Sequence, residues 1–125
     1  MSRLFLVMGP VLGGLAVAAG AFGAHGLKAL LEASGQAGNW ETAARYALCH
    51  ALAIVVAGLW ATLRPSHLVA AAGWCFLAGT AIFSGCLFAL AVSGVRLLGA
   101  VVPVGGLLLI AGWALLAVAG WRDGR

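Results

Sequence analysis

Charged residues are scarce in this chain. Asp, Glu, Lys and Arg make up 8% of its 125 residues, whereas soluble domains contain about 25% charged residues. The hydrophobic fraction is 64% and the mean hydropathy is +1.11. Because so few polar groups cannot cover an apolar interior, we expect most of the surface to face lipid. The composition therefore excludes an ordinary soluble domain.

The basic residues form no patch, although the net charge is +4. The seven Lys and Arg residues stand singly between apolar runs. Nucleic-acid-binding proteins gather such residues on one face, so we expect no nucleic-acid partner. Isolated basic residues beside apolar runs are typical of anchors at the edge of a membrane.

Sequence motifs for metal binding and catalysis are also missing. The three cysteines, Cys49, Cys75 and Cys86, lie in apolar stretches, and none belongs to a CxxC pair. Neither a zinc site nor a disulfide framework is therefore indicated. There is no Gly-rich phosphate loop after a strand and no Ser/His/Asp arrangement. The sequence thus assigns no catalytic residue, metal ligand or cofactor, and it favours a non-enzymatic role.

Four apolar runs are each long enough to cross a bilayer, which takes about 20 residues. They predict helices at about 4–24, 40–63, 68–93 and 97–121. The last three are joined by short connections, which force neighbouring helices to be antiparallel. We therefore predict a single all-α domain over residues 1–125, an integral membrane four-helix bundle with up-down-up-down topology. The longer loop at 25–39 has leucines at helical spacing, which suggests a short helix on the membrane surface.

The distribution of basic residues favours an orientation with both termini in the cytoplasm. In that orientation four arginines lie inside, against three basic residues outside. The inner residues are Arg3, Arg64, Arg122 and Arg125, and the outer ones are Lys28, Arg45 and Arg96.

The polar residues of all four predicted spans fall in the outer half of the bilayer. Tyr46 and His50 are four residues apart and share one helix face, and Glu41 and Arg45 have the spacing of an ion pair. Because ionisable groups are costly in lipid, we expect them to face the bundle interior or a water-filled cavity. The predicted ligand or polar cluster consists of His25, Trp40, Glu41, Thr42, Arg45, Tyr46, His50, Ser84 and Arg96.

Three functions are compatible with these features. The protein could bind or pass a small molecule, a lipid or a proton through the polar cluster. Alternatively, it could be a structural or assembly subunit of a membrane complex. Small residues recur along helix faces, as at Ala111, Ala114 and Ala117, and such stripes favour tight packing or a homo-oligomer. A haem- or metal-dependent enzyme using His25 and His50 is less favoured. The expected partners are membrane lipids and a second copy of the chain.

Four sequence stretches resemble a known family. They are "GAFGAHGL" (20–27), "WETAARYALCHALA" (40–53), "GTAIFSG" (79–85) and "PVGGLLLIAGW" (103–113). Together they resemble the YgdD-like family of small four-helix inner-membrane proteins, whose eukaryotic relatives resemble transmembrane protein 256. The resemblance implies a bacterial inner-membrane protein of unknown function, and it supplies no reaction. The family's pattern falls on Gly20, Phe22, Gly23, His25, Trp40, Thr42, Tyr46, His50, Phe83, Ser84, Gly85, Pro103, Gly105 and Trp113.

Overall fold

The computed structural model describes residues 1–124. All of the regular secondary structure within that range is helical. The apolar runs form four long helices, and a short helix lies in the first connection. Arg125, one of the predicted inner charges, lies outside the described residues. The helices are α1 (Ser2–Ala24), α2 (Lys28–Ala33), α3 (Ala37–Leu63), α4 (His67–Ser93) and α5 (Arg96–Asp123).

The four long helices are long enough and apolar enough to cross a membrane. The shortest, α1, has 23 residues, which corresponds to about 35 Å at 1.5 Å per residue. The hydrocarbon core of a bilayer is about 30 Å thick. The prediction of an all-α membrane bundle is therefore confirmed. Helix α3 starts at Ala37 rather than near residue 40, because the Trp40 amide donates to the Gln36 carbonyl and extends the helix by one turn.

Helices α3 and α4 form the centre of the bundle. Helix α1 packs against α3, and α5 packs against α4. Met1 contacts Trp74 of α4, and Asp123 bonds to Trp60 of α3. The start of α1, the end of α5 and the α3–α4 connection therefore meet at one end of the bundle, which we call the termini end. The opposite end carries α2 and the α4–α5 connection, and we call it the α2 end.

Glycines set the close approach of α4 and α5. An added Cβ at Gly105 would lie 2.5 Å from the Phe83 amide nitrogen and 2.9 Å from the Gly79 carbonyl oxygen. A Cβ at Gly112 would lie 2.6 Å from the ring of Phe76, which is fully buried. Glycine has no side chain beyond a hydrogen, so it lets helix backbones approach each other closely in lipid.

The predicted small-residue stripe of the last helix faces outward. Ala111, Ala114 and Ala117 are exposed, while the buried face of α5 is made by Gly105, Leu109, Gly112, Leu116 and Ala119. The spacing of the alanines did not identify the packed face, because the contacts of α5 with α4 are made by glycines and leucines. The two large leucines on the buried face fill the space between the glycine contacts.

Candidate functional site

A cavity of about 440 Å³ lies at the α2 end, between the end of α1, helix α2 and the start of α3. Leu31 anchors α2 over this cavity, since its side chain is only 1% exposed although most of α2 is at the surface. The cavity is therefore covered by a short helix that is held through one apolar side chain. Its lining residues are Gly20, Gly23, Ala24, Lys28, Leu31, Glu32, Ala37, Trp40, Glu41 and Ala44.

The cavity combines an apolar wall with unpaired charges. Lys28 and Glu32 are one turn apart on α2, yet within residues 1–124 neither belongs to an ion pair. Glu41, by contrast, accepts a bond of 2.6 Å from the Arg45 guanidinium. The cavity thus presents one ammonium and one carboxylate that no other side chain neutralises.

Trp40 forms the inner wall of the cavity and is fixed by three contacts. Its indole N–H donates to the Ala19 carbonyl over 2.8 Å. Its ring packs edge-on against Phe88, with 4.6 Å between the ring centres. Gly23 leaves the space for the indole, because a Cβ there would collide with the ring. Trp40 therefore connects α1, α3 and α4 and gives the cavity a rigid side.

His50 lies deeper in the bundle and has both ring nitrogens in hydrogen bonds. Its Nδ1 is 2.8 Å from the Tyr46 carbonyl oxygen, and its Nε2 is 3.2 Å from the Trp113 indole nitrogen. The carbonyl can only accept and the indole N–H can only donate. This pair of bonds fits the imidazole tautomer that carries its proton on Nδ1. Neither nitrogen is free to bind a metal or to exchange a proton while both bonds hold.

Comparison with known protein families matches residues 19–106 to the family described as "Protein of unknown function (DUF423)". The chain belongs to the DUF423 family. The matched range covers the end of α1, all the residues that line the cavity, helices α3 and α4, and the first part of α5. The predicted resemblance to a small membrane-protein family of unknown function is therefore confirmed.

Bacterial relatives match this DUF423 chain over nearly its full length. A UPF0382 membrane protein of Staphylococcus haemolyticus is 38% identical over 120 residues, which covers 96% of this chain and 97% of the relative. The UPF0382 membrane protein YwdK of Bacillus subtilis is 39% identical over 118 residues, or 94% and 95% of the two chains. No solved structure matches this chain. The findings show a multi-pass membrane protein and name no activity.

The DUF423 fold does not join the nine predicted site residues into one network. Trp40 and Glu41 line the cavity, while His50 and Ser84 are buried elsewhere in the bundle. The Ser84 hydroxyl donates to the Ala43 carbonyl over 2.8 Å and ties α4 to α3. Within the described part of the chain, the side chains of His25, Thr42 and Arg96 form no hydrogen bond or ion pair.

The charged members lie at the surface of the α2 end rather than in the closed core of the bundle, and Glu41 also lines the cavity. Glu41 and Arg45 pair as predicted, but their side chains are 71% and 65% exposed. His25 and Arg96 are also exposed, and so is Tyr46, at 42%. The physical reason is position, because Glu41 and Arg45 lie in the first turns of α3, where long side chains can reach the polar headgroup region.

The sequence did not identify all of the partners of these residues. Tyr46 contributes its backbone carbonyl to His50, and its ring stacks on Phe83 with 4.6 Å between centres. Trp113 was part of the family pattern but was not linked to His50, which precedes it by 63 residues. Glu32 was not included in the predicted cluster, and Lys28 was counted only as an outer basic residue. Among residues 1–124, no three His, Cys, Asp or Glu side chains lie close enough to hold a metal.

Proposed function

We propose that this protein binds a phospholipid with a zwitterionic headgroup, phosphatidylethanolamine, at the cavity of the α2 end. The single observation that carries the proposal is the unpaired Lys28 and Glu32 beside an apolar wall. A volume of about 440 Å³ is in the range of small-molecule sites, roughly 300–1,000 Å³. The role is binding rather than catalysis.

The charges of the cavity match one class of headgroup. The Lys28 ammonium complements a phosphate, and the Glu32 carboxylate complements a primary ammonium that can donate N–H bonds. A choline headgroup has no N–H to donate, and a glycerol headgroup carries no cation. The acyl chains of a bound lipid would follow the apolar surface of α1 and α3 toward the hydrocarbon. The proposal therefore ranks phosphatidylethanolamine above phosphatidylcholine and phosphatidylglycerol.

Native mass spectrometry of the purified chain tests this ranking. The protein is exchanged into micelles that contain equal amounts of the three dioleoyl lipids, and retained lipid is counted. We expect phosphatidylethanolamine to be retained most, and Lys28→Gln and Glu32→Gln each to lower its retention severalfold, since each loses a charge-assisted bond. Arg96→Gln is the matched control, because Arg96 is an exposed cation that does not line the cavity. Equal retention of all three lipids would contradict the proposal.

We also propose that the protein lies in the bacterial inner membrane with both termini in the cytoplasm. The support is the sequence, in which four arginines fall on one side of the predicted spans (Arg3, Arg64, Arg122 and Arg125) and three basic residues on the other (Lys28, Arg45 and Arg96). Positively charged residues near span ends are retained on the cytoplasmic side. The lipid cavity then opens at the outer leaflet.

A further inference from the structure

A second, separate groove lies between α1 and α4. It has a volume of about 300 Å³ and shares no residue with the cavity at the α2 end. Most of its lining is apolar, and the only hydroxyl groups are those of Thr80 and Ser84. The lining residues are Leu12, Leu15, Ala16, Ala19, Ala47, Thr80, Ala81, Ser84, Gly85 and Phe88.

The Thr80 hydroxyl is buried without a hydrogen-bond partner. The residue is 3% exposed, and its Oγ1 has no partner among the described residues. Other helical hydroxyls of this chain satisfy themselves locally, since Thr62 and Ser93 donate to the carbonyls four residues earlier. A buried unpaired hydroxyl is costly, more so where lipid replaces water. The Thr80 hydroxyl is therefore a polar group of this groove that the fold leaves without a hydrogen bond.

The two hydroxyl groups of the groove determine which hydrogen-bonding groups a ligand can use there. The Ser84 proton is already used on the Ala43 carbonyl, so Ser84 cannot donate it to a ligand. The Thr80 proton is uncommitted, but its Oγ1 is fully enclosed. A ligand in the groove would reach the hydroxyl in the second side-chain rotamer open to threonine in a helix, which exchanges the hydroxyl and methyl positions. A ligand with an acceptor such as a carbonyl oxygen would satisfy this proton.

The depth of Thr80 excludes the oxygens of ordinary phospholipids. Thr80 is the central residue of α4, which runs from His67 to Ser93. If α4 is centred in the bilayer, Thr80 lies about 15 Å from either edge of the hydrocarbon. The ester carbonyls of phospholipids lie at that edge, and a charged carboxylate is too costly at this depth. The acceptor must belong to a molecule that dissolves in the hydrocarbon itself.

We propose that the groove binds a membrane-soluble quinone, with one ring carbonyl accepting from the Thr80 hydroxyl. A quinone ring carries neutral carbonyl acceptors on a flat apolar frame, and its hydrocarbon tail can lie along α1 and α4. Phe88 supplies an aromatic surface at the end of the groove nearer α2, where a ring can pack edge-on or offset. This site does not depend on the lipid cavity, so either proposal can fail without the other.

Binding of a decyl-substituted benzoquinone to the full chain in lipid nanodiscs tests this site. Thr80→Val keeps the shape of the side chain and removes the hydroxyl, so we expect the Kd to rise about three- to tenfold, as for the loss of one hydrogen bond. The same variant should be at least as heat-stable as the parent without quinone, because an unpaired buried hydroxyl is removed. Thr62→Val is the matched control, and its Kd should stay at the parent value.

A blocking variant provides the second arm of the test. An added Cβ at Gly85 meets no atom within 4 Å, so Gly85→Leu should fill the groove without moving the helices and should abolish quinone binding. Gly14→Leu is the control, since Gly14 has equally open surroundings but does not line the groove. An unchanged Kd in Thr80→Val, or parent-like binding by Gly85→Leu, would overturn the proposal.

Discussion

At the scale of single residues, His50 is held between two partners that together fit a single tautomer of its ring. The Trp113 indole occupies Nε2 and the Tyr46 carbonyl occupies Nδ1. A second proton on the ring would place two N–H groups opposite each other at Nε2 and break the bond to α5. Flanking rings of Phe76 and Tyr46 complete an apolar surrounding. His50 therefore links α3 to α5, and both of its ring nitrogens are used in hydrogen bonds.

The link between His50 and Trp113 can be measured as a coupling energy. We expect His50→Leu and Trp113→Phe each to lower the free energy of unfolding by about 0.5–1.5 kcal/mol. The double variant should lose less than the sum, with a coupling of about 0.6 kcal/mol, the average for hydrogen bonds inside membranes. Unfolding in mixed SDS and dodecylmaltoside micelles measures all four proteins. Strictly additive losses would show that the bond contributes nothing.

At the scale of elements, the α4–α5 contact depends on backbone meeting backbone. Gly105 faces the Phe83 amide and the Gly79 carbonyl, and neither group can move without shifting a whole helix. Gly112 instead faces the ring of Phe76, which is a side chain. We infer that an added side chain is tolerated less well at Gly105 than at Gly112.

Gly105→Ala should therefore destabilise the bundle by about 1–3 kcal/mol, the usual cost of overpacking. The neighbouring Gly106→Ala is the control, because a Cβ there would lie 3.7 Å from Phe83, an ordinary contact distance. That variant should be neutral or up to about 1 kcal/mol more stable, since alanine favours helix over glycine. Thermal unfolding in one detergent compares the two, and equal stabilities would refute the backbone contact.

At the scale of the whole molecule, the two ends of the bundle differ in chemistry. The termini end is fastened by Asp123, whose carboxylate accepts from Trp60 and whose carbonyl accepts from Arg64. The α2 end is more open and carries the cavity with unpaired charges. In the proposed orientation, the α2 end with its cavity faces outward.

Cysteine labelling in intact cells checks that orientation. With the native cysteines replaced, Ser34→Cys at the end of α2 should react with a membrane-impermeant maleimide. Gly124→Cys, exposed at the termini end, should react only after the membrane is broken. Both positions are at the surface, so access to the reagent is decided by the side of the membrane. The reverse labelling pattern would invert the assigned topology.

Part of the site could be predicted from the sequence, because some of its contacts join residues within one turn of the same helix. The Glu41–Arg45 pair follows from four-residue spacing on one helix, and the structure contains it. The partner of His50 does not follow in this way, because Trp113 is on another helix and its approach depends on how α5 packs. The sequence also does not show that Lys28 and Glu32 are unpaired, since their spacing alone would suggest an ion pair.

The sequence by itself determined the number of spans, their alternating direction and the lipid surroundings. These properties depend on the length of apolar runs and of connections, which are local and additive along the chain. Only the tertiary structure decided which faces are buried, where the cavity and the groove lie, and which hydroxyl has no partner. In helices that are apolar on nearly every side, the packed face is selected by contacts between different helices, such as Gly105 of α5 against Phe83 of α4.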